Sequence, residues 1–179
     1  MFILKINSIT NCLAHDIENF LYVDDYVICF RSRYMHIAER KLQLVLNKLT
    51  KWADCNGFKF SKDKKSYVVH FCNQRKLHPE PSLFLNNHLP PVVNEVKFLG
   101  LYFDNKLSFL PHIKYLKTKC LNAMNIFKII AHQTWGADQS TLLTLYRTLI
   151  RSKLDYGAIV YGSARKSYLK ILEPVANKL

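Results

Sequence analysis

The chain has 179 residues, 49% apolar and 13% aromatic, which is enough to bury a core and too apolar for a disordered segment. Its 26 lysines and arginines against 13 acids give a formal net charge of +13, which draws polyanions, nucleic acid ahead of anionic membrane. No apolar run nears the ~20 residues of a membrane span. Met1 to Ile9 lacks the basic flank and small-residue cleavage site of a signal peptide, so the expectation is a soluble intracellular protein with no membrane partner. The cysteines Cys12, Cys29, Cys55, Cys72 and Cys120 form no Cys-x-x-Cys pair and read as free thiols of a reducing compartment. His70 and Cys72 have no second ligand pair at zinc-finger spacing.

In chain order, Phe2, Ile3, Ile6 and Ile9 repeat at helical spacing without a preceding cap, as if a domain were entered partway through. Leu21-Tyr22-Val23 and Tyr26-Val27-Ile28-Cys29-Phe30 are β-prone runs on either side of Asp24-Asp25 and read as a hairpin. Ala38, Leu42, Val45, Leu46, Leu49, Trp52 and Ala53 share one helical face, with Gly57 as a stop. Phe58-Lys59-Phe60 alternates, and Ser66 to Phe71 is a second strand-like run. Residues 73–95, with four prolines, read as a loop carrying a short hairpin at Asn86-Asn87.

Val96 to Phe103 reads as a strand run containing Gly100, and Asp104-Asn105 as a turn. Two helices follow. Ile113, Leu116, Cys120, Ala123, Met124, Phe127 and Ala131 line the first, which Gly136 ends. Asp138 is a plausible N-cap of the second, whose stripe is Leu142, Tyr146, Leu149 and Ile150. A last helical segment near Ser167 to Leu172 meets Pro174. The order predicts an α+β domain followed by a small helical one, with a boundary near residue 108.

Asp24-Asp25 is the chemical signal. A two-residue hairpin turn favours Asn-Gly or Asp-Gly, whose backbones accept positive φ. Two adjacent carboxylates give up that preference and repel each other unless a cation sits near them. Mg²⁺, a hard ion that prefers carboxylate and phosphate oxygen, would relieve the repulsion, and apolar strands on both sides would hold the geometry.

Tyr22-Val23-Asp24-Asp25 between two apolar strands resembles the palm motif of reverse transcriptases. The helix from Ile37 to Asn56 stands where that family has one. Asn56-Gly57-Phe58-Lys59-Phe60-Ser61 followed by Lys64 is similar to the next palm motif, whose lysine lies near the incoming nucleotide; Lys64 is the best match, with Lys62 and Lys65 as alternatives. Phe98-Leu99-Gly100-Leu101-Tyr102-Phe103-Asp104, Leu107-Ser108 and His112-Ile113 are similar to the primer-grip strand pair and thumb start of jockey-like retrotransposons without long terminal repeats. Tyr115-Leu116-Lys117, Thr134-Trp135-Gly136-Ala137-Asp138, Leu145-Tyr146-Arg147 and Lys153-Leu154-Asp155-Tyr156-Gly157 extend the likeness over almost the whole chain.

The resemblance implies a partial polymerase palm over 1–108 and a helical thumb or connection region over 109–179. It implies template-directed addition of deoxynucleotides to a primer 3′-hydroxyl, with an RNA template, an RNA–DNA or DNA primer duplex and deoxynucleoside triphosphates as partners. Asp24 and Asp25 would be catalytic and metal-binding, in a two-Mg²⁺ site with ions about 4 Å apart. Tyr22, Val23 and Lys64 would lie near the nucleotide. Phe98, Leu99, Gly100 and Leu101 would form the primer grip. Lys114, Lys117 and Lys128 on one helix flank, with Arg147 and Arg151 on the next helix, would track duplex phosphates. The family's further aspartate, on an earlier palm strand, has no counterpart pattern here, nor do the fingers, so the chain alone is expected not to polymerise. The alternative is a non-catalytic nucleic-acid-binding remnant or domesticated domain of the same fold. A small hydrolase using the Asp pair lacks any further His or carboxylate cluster.

Overall fold

The computed structural model describes residues 5–13, 16–60, 66–73, 79–131 and 136–176, the side chains of 11, 12 and 176 excepted. It is a mixed α+β structure in two compact units, Met1–Asn94 and Glu95–Leu179. Among the described residues no helix is long and apolar enough to cross a membrane.

The first unit opens with a 3-10 helix, Asn7–Cys12, where the apolar periodicity predicts a longer helix; Phe2 and Ile3 lie outside the described residues. An antiparallel hairpin follows, β1 (Glu18–Tyr22) and β2 (Asp25–Cys29). Helix α1 (Met35–Asn56) ends at Gly57, whose φ of 71° gives the left-handed turn that lets its N–H reach the last carbonyls. Period 2 in the strands and 3.6 in the helix bring Leu21, Tyr26 and Ile28 against Val45 and Leu49, with Ile9 and Ile17 completing the core.

The alternation at Phe58-Lys59-Phe60 forms no strand. Phe58 instead stacks on Trp52 at 5.3 Å, and Phe60 joins the core. The run Ser66 to Phe71 makes only a parallel bridge, Val68 to Val92. The expected turn at Asn86-Asn87 is present: both residues have positive φ and Leu85 bridges His88. Helix α1 fastens this loop by its side chains, since Gln43 accepts from the Phe84 N–H at 2.7 Å and donates to its carbonyl at 2.8 Å. Glu39 accepts from the Ser82 N–H.

In the second unit, the run read as one strand is a hairpin, β3 (Glu95–Phe98) and β4 (Leu101–Asp104). Leu99 and Gly100, with φ of 46° and 81°, make a turn with positive φ at both central positions. Helix α2 (Leu110–Ile130) carries the buried stripe His112, Ile113, Leu116, Cys120, Ala123, Met124 and Phe127, and it ends at Ile130, short of Gly136. Its first half packs with Phe109, Tyr161 and Leu172, its second half with Ile150 and Val175.

Helix α3 (Gln139–Tyr146) begins at the expected cap: Asp138 accepts from the Ser140 and Thr141 amides, and bonds from their hydroxyls hold its pKa down to about 2. Arg147–Arg151 then widens to π geometry. The hydroxyls of Thr144, Thr148 and Ser152 each reach the carbonyl four residues back, a pattern that bends helices. Short helices α4 (Ser152–Asp155), α5 (Ala158–Tyr161), α6 (Lys166–Leu169) and α7 (Glu173–Ala176) close the unit. Pro174 sits in the first turn of α7, where its missing N–H is harmless.

Two residues make this unit sensitive. Gly157 has φ of 72°, and a β-carbon there would lie 2.5 Å from Leu101 Cδ2. Gly157→Ala is expected to lower stability by about 1–3 kcal/mol in chemical denaturation, from backbone strain and overpacking together. His112 is 1% exposed; its Nδ1 accepts from the Tyr102 N–H, and its Nε2 has no hydrogen-bond partner among the described residues. Burial pushes its pKa below the usual value, so the unfolded chain binds the extra proton more readily. Its contribution to stability is complete above about pH 6.5 and is lost as pH falls toward the depressed value. Denaturation midpoints measured across that interval should fall with pH, and His112→Gln should flatten the fall.

Candidate functional site

The register Tyr22↔Asp25 places Val23 and Asp24, rather than Asp24 and Asp25, at the two central positions of the first hairpin turn. Asp25 is the first residue of β2. Val23 has φ of 56° and Asp24 does not share that sign, so positive φ falls at the first central position of the turn. Such a turn prefers glycine at its first position. A β-branched residue there is an outlier that costs about 1–2 kcal/mol, and strained positions of this kind cluster at functional sites. Turn propensity points one residue further on because valine is among the residues least suited to positive φ.

The carboxylates of Asp24 and Asp25 are exposed, and neither has a hydrogen bond or ion pair with another described residue. Tyr22 and Val23, both more than half exposed, share the tip with them. Alternation along β1 turns Phe20 and Tyr22 away from the core while Leu21 faces it. The rigid side of the hairpin is therefore its inner face on α1, and the acids project from the tip.

By donor type the pair suits Mg²⁺, which takes hard oxygen ligands and retains several waters until carboxylates and phosphates converge on it. By number it falls short: among the described residues no group of three His, Cys, Asp or Glu side chains could hold a metal ion. Asp16 is committed elsewhere, 2.8 Å from Lys41, whose hydrogen bond lowers its pKa. Lys64, with Lys62 and Lys65, lies outside the described residues.

The other expected sites fall in the second unit. Phe98 ends β3, Leu99 and Gly100 form the turn, and Leu101 begins β4. Two residues not singled out for this corner hold it: the Tyr156 hydroxyl donates to the Leu99 carbonyl at 2.7 Å, and Gly157 lies against Leu101. The Tyr156-Gly157 pair itself is the only sequence signal for that contact, and its partner is 57 residues away. Lys114 and Lys128 are exposed on α2 and Lys117 is half-buried. Arg147 and Arg151 are exposed on the π-widened segment, where Arg151 pairs with Asp155 at 3.4 Å, too exposed to matter much for stability.

Comparison with known proteins gives this arrangement its context. Over 163 residues the chain is 26% identical to a probable RNA-directed DNA polymerase from transposon X-element of Drosophila melanogaster, covering 88% of this chain and 17% of that protein. It is 28% identical over 168 residues to the RNA-directed DNA polymerase from mobile element jockey of the same organism, covering 90% of this chain and 17% of that one. The chain is a distant homologue of RNA-directed DNA polymerases of non-LTR retrotransposons. A retrovirus-related Pol polyprotein from type-1 retrotransposable element R1 of Bradysia coprophila is 31% identical over 93 residues, 51% of this chain and 9% of that protein. No family model matches the chain, and no solved structure matches it. It spans about a sixth of the length of the X-element and jockey polymerases, 17% of each.

The strain at Val23 can be measured without any substrate. Val23→Gly is expected to stabilise the chain by about 0.5–1 kcal/mol, the strain relieved less the added freedom of the unfolded state. Equilibrium denaturation with unchanged helical circular dichroism is the readout, and a destabilised variant would show that the turn is not strained as described.

Proposed function

We propose that the chain is the C-terminal part of a reverse-transcriptase palm, residues 1–108, followed by thumb or connection helices, residues 109–179. The compact units part earlier, at Asn94, because the β3–β4 hairpin packs on α2. The observation that carries this reading is the pair of exposed carboxylates at the tip of a hairpin braced on α1, in a chain alignable over 88% and 90% of its length with two retrotransposon polymerases.

The reaction is nucleotidyl transfer: a primer 3′-hydroxyl attacks the α-phosphate of a deoxynucleoside triphosphate opposite an RNA template, and pyrophosphate leaves. When bound in the complete enzyme, Mg²⁺ supplies activation of the attacking oxygen and charge stabilisation of the leaving one. Asp24 is the principal ligand offered by this turn and Asp25 a second ligand or support. Tyr22 and Val23 would lie near the nucleotide, as would Lys64 by its place in the motif. The turn Phe98–Leu101, held by Tyr156, positions the primer strand. Lys114, Lys117, Lys128, Arg147 and Arg151 neutralise phosphates of the template–primer duplex.

Two acids at one tip do not complete a two-metal site, so the isolated chain binds nucleic acid and does not polymerise. Primer extension on an RNA template with Mg²⁺ is expected to show no incorporation by these 179 residues. Asp24-dependent incorporation would overturn that expectation. Binding to an RNA–DNA duplex should weaken steeply between about 50 and 200 mM salt; salt-insensitive binding would remove the phosphate-tracking role.

A further inference from the structure

The first turn of α2 carries a histidine sealed in the core of the second unit. His112 is 1% exposed, and its ring lies 5.3 Å from that of Tyr161 and 6.4 Å from those of Tyr102 and Tyr115. The neighbouring strand explains a polar side chain at this place. Phe98↔Leu101 closes the β3–β4 turn, so the alternation of an antiparallel ladder makes Lys97↔Tyr102 a pair whose amides point out of the hairpin. The Tyr102 N–H therefore finds no acceptor on β3, and His112 Nδ1 accepts it instead.

That bond fixes the tautomer. Nδ1 accepts only while it is unprotonated, so the neutral ring carries its proton on Nε2, which has no hydrogen-bond partner among the described residues. A second proton has only Nδ1 to occupy. There it sets two N–H donors against each other and puts a cation into the core, beside the positive end of α2.

No neighbour compensates that cation. On β4, the Asp104 carboxylate is engaged by the Phe109 N–H. On β3, Glu95 is exposed and stands opposite Asp104, and Lys97 is itself a cation, as is Lys119 on α2. On α5, Tyr161 gives its hydroxyl to the Leu154 carbonyl, while Asp155 of α4 pairs with Arg151. Tyr102, Tyr115 and Tyr161 offer the imidazole rings rather than charge, and Tyr168 of α6 packs against the same cluster. Burial accordingly holds the His112 pKa below its usual value.

The His112 bond is one of two side-chain bonds that tie the hairpin to helices, the other being from the Tyr156 hydroxyl to the Leu99 carbonyl. The hairpin lends Phe103 to the core around Phe109 and Ile113 and, among the described residues, nothing to the core around Cys120 and Phe127. We propose that His112 is a proton-operated latch: protonation releases β4 from α2, and the β3–β4 hairpin opens locally while the core around Cys120, Phe127, Ile150 and Val175 stays closed. The open form takes up the proton near about pH 6.5 and the closed form only below that, so the open fraction rises about tenfold per pH unit across the interval. The latch stands independently of the function proposed above.

The test is amide hydrogen exchange of the whole chain, read residue by residue by NMR between about pH 7.5 and 5 and expressed as protection relative to intrinsic exchange. The Tyr102 amide should lose protection about tenfold per pH unit below about pH 6.5. At each pH it should be protected at least about tenfold less than the Cys120 and Phe127 amides, and low urea should barely change its exchange, the mark of a local opening. His112→Gln, whose carboxamide oxygen accepts the same N–H but takes up no proton, should abolish the pH slope and keep the protection. His112→Leu should leave Tyr102 unprotected even at neutral pH. Tyr156→Phe, which removes the second tie, should lower protection at every pH without changing the slope.

Equal protection and equal urea response at Tyr102, Cys120 and Phe127 would mean a single global opening and overturn the latch. So would a Tyr102 profile flat across the interval, or a pH slope that persists in His112→Gln. Should circular dichroism show that a variant does not fold, the wild-type profile and its urea response decide.

Discussion

A single buried carboxylate organises the second unit. Asp104 is 8% exposed at the end of β4, and its Oδ1 accepts from the Phe109 N–H at 2.8 Å. Burial pushes its pKa up, but bonds from the backbone and hydroxyl of Ser108 and from the Phe109 amide outweigh that and hold the carboxyl below its usual value. Its backbone carbonyl accepts from the Leu107 N–H, closing the turn. Leu107 and Phe109 both take positive φ within this connection. An ionised Asp104 thus offsets two unfavourable backbone conformations and fixes where α2 starts. Since α2 supplies residues to both cores of the unit, the placement of every later helix follows from that start.

The first unit solves a different problem. A two-stranded hairpin is marginal in water unless one face is covered. Here the covered face is Leu21, Tyr26 and Ile28 on α1, and the tip is left outside the core. That division braces the inner face of the strands and leaves the two acids exposed at the turn. Replacing either aspartate alters no buried contact, so their presence in an exposed, strained turn is not explained by the packing of this unit. A glycine at Val23 would relieve the backbone, and an Asn-Gly pair would serve a plain hairpin better. The chain holds instead a valine at positive φ followed by two exposed acids.

Local chemistry was legible in the residues, and long-range closure was not. The Asp138 cap, the left-handed Gly57, the Asn86-Asn87 turn and the stripe of α1 each follow from interactions within a few positions, so propensity and periodicity reach them. Val96 to Phe103 hides its turn because Leu99 continues the apolar run while adopting a conformation leucine seldom takes; only Gly100 hints at the reversal. Tyr156 meets that turn, its hydroxyl donating to the Leu99 carbonyl from 57 residues away, and no local pattern encodes such a contact. The π widening at Arg147–Arg151, where the Thr148 hydroxyl bonds the Thr144 carbonyl, is likewise a feature that a 3.6-residue stripe cannot register. At the candidate site the hairpin was readable while its register was not: the turn sits one residue earlier than turn propensity places it.

That offset changes how the two acids relate. Had both occupied the central turn positions, they would have been equivalent loop residues. With Asp25 paired to Tyr22 as the first residue of β2, its backbone is held by the strand ladder, whereas Asp24 belongs to the turn itself. The two carboxylates therefore differ in backbone setting: Asp24 lies in the turn, and Asp25 is tied to the strand that α1 braces. The offset also makes the strain at Val23 bear directly on Asp24, because the conformation of the first central residue sets the direction in which the second presents its side chain.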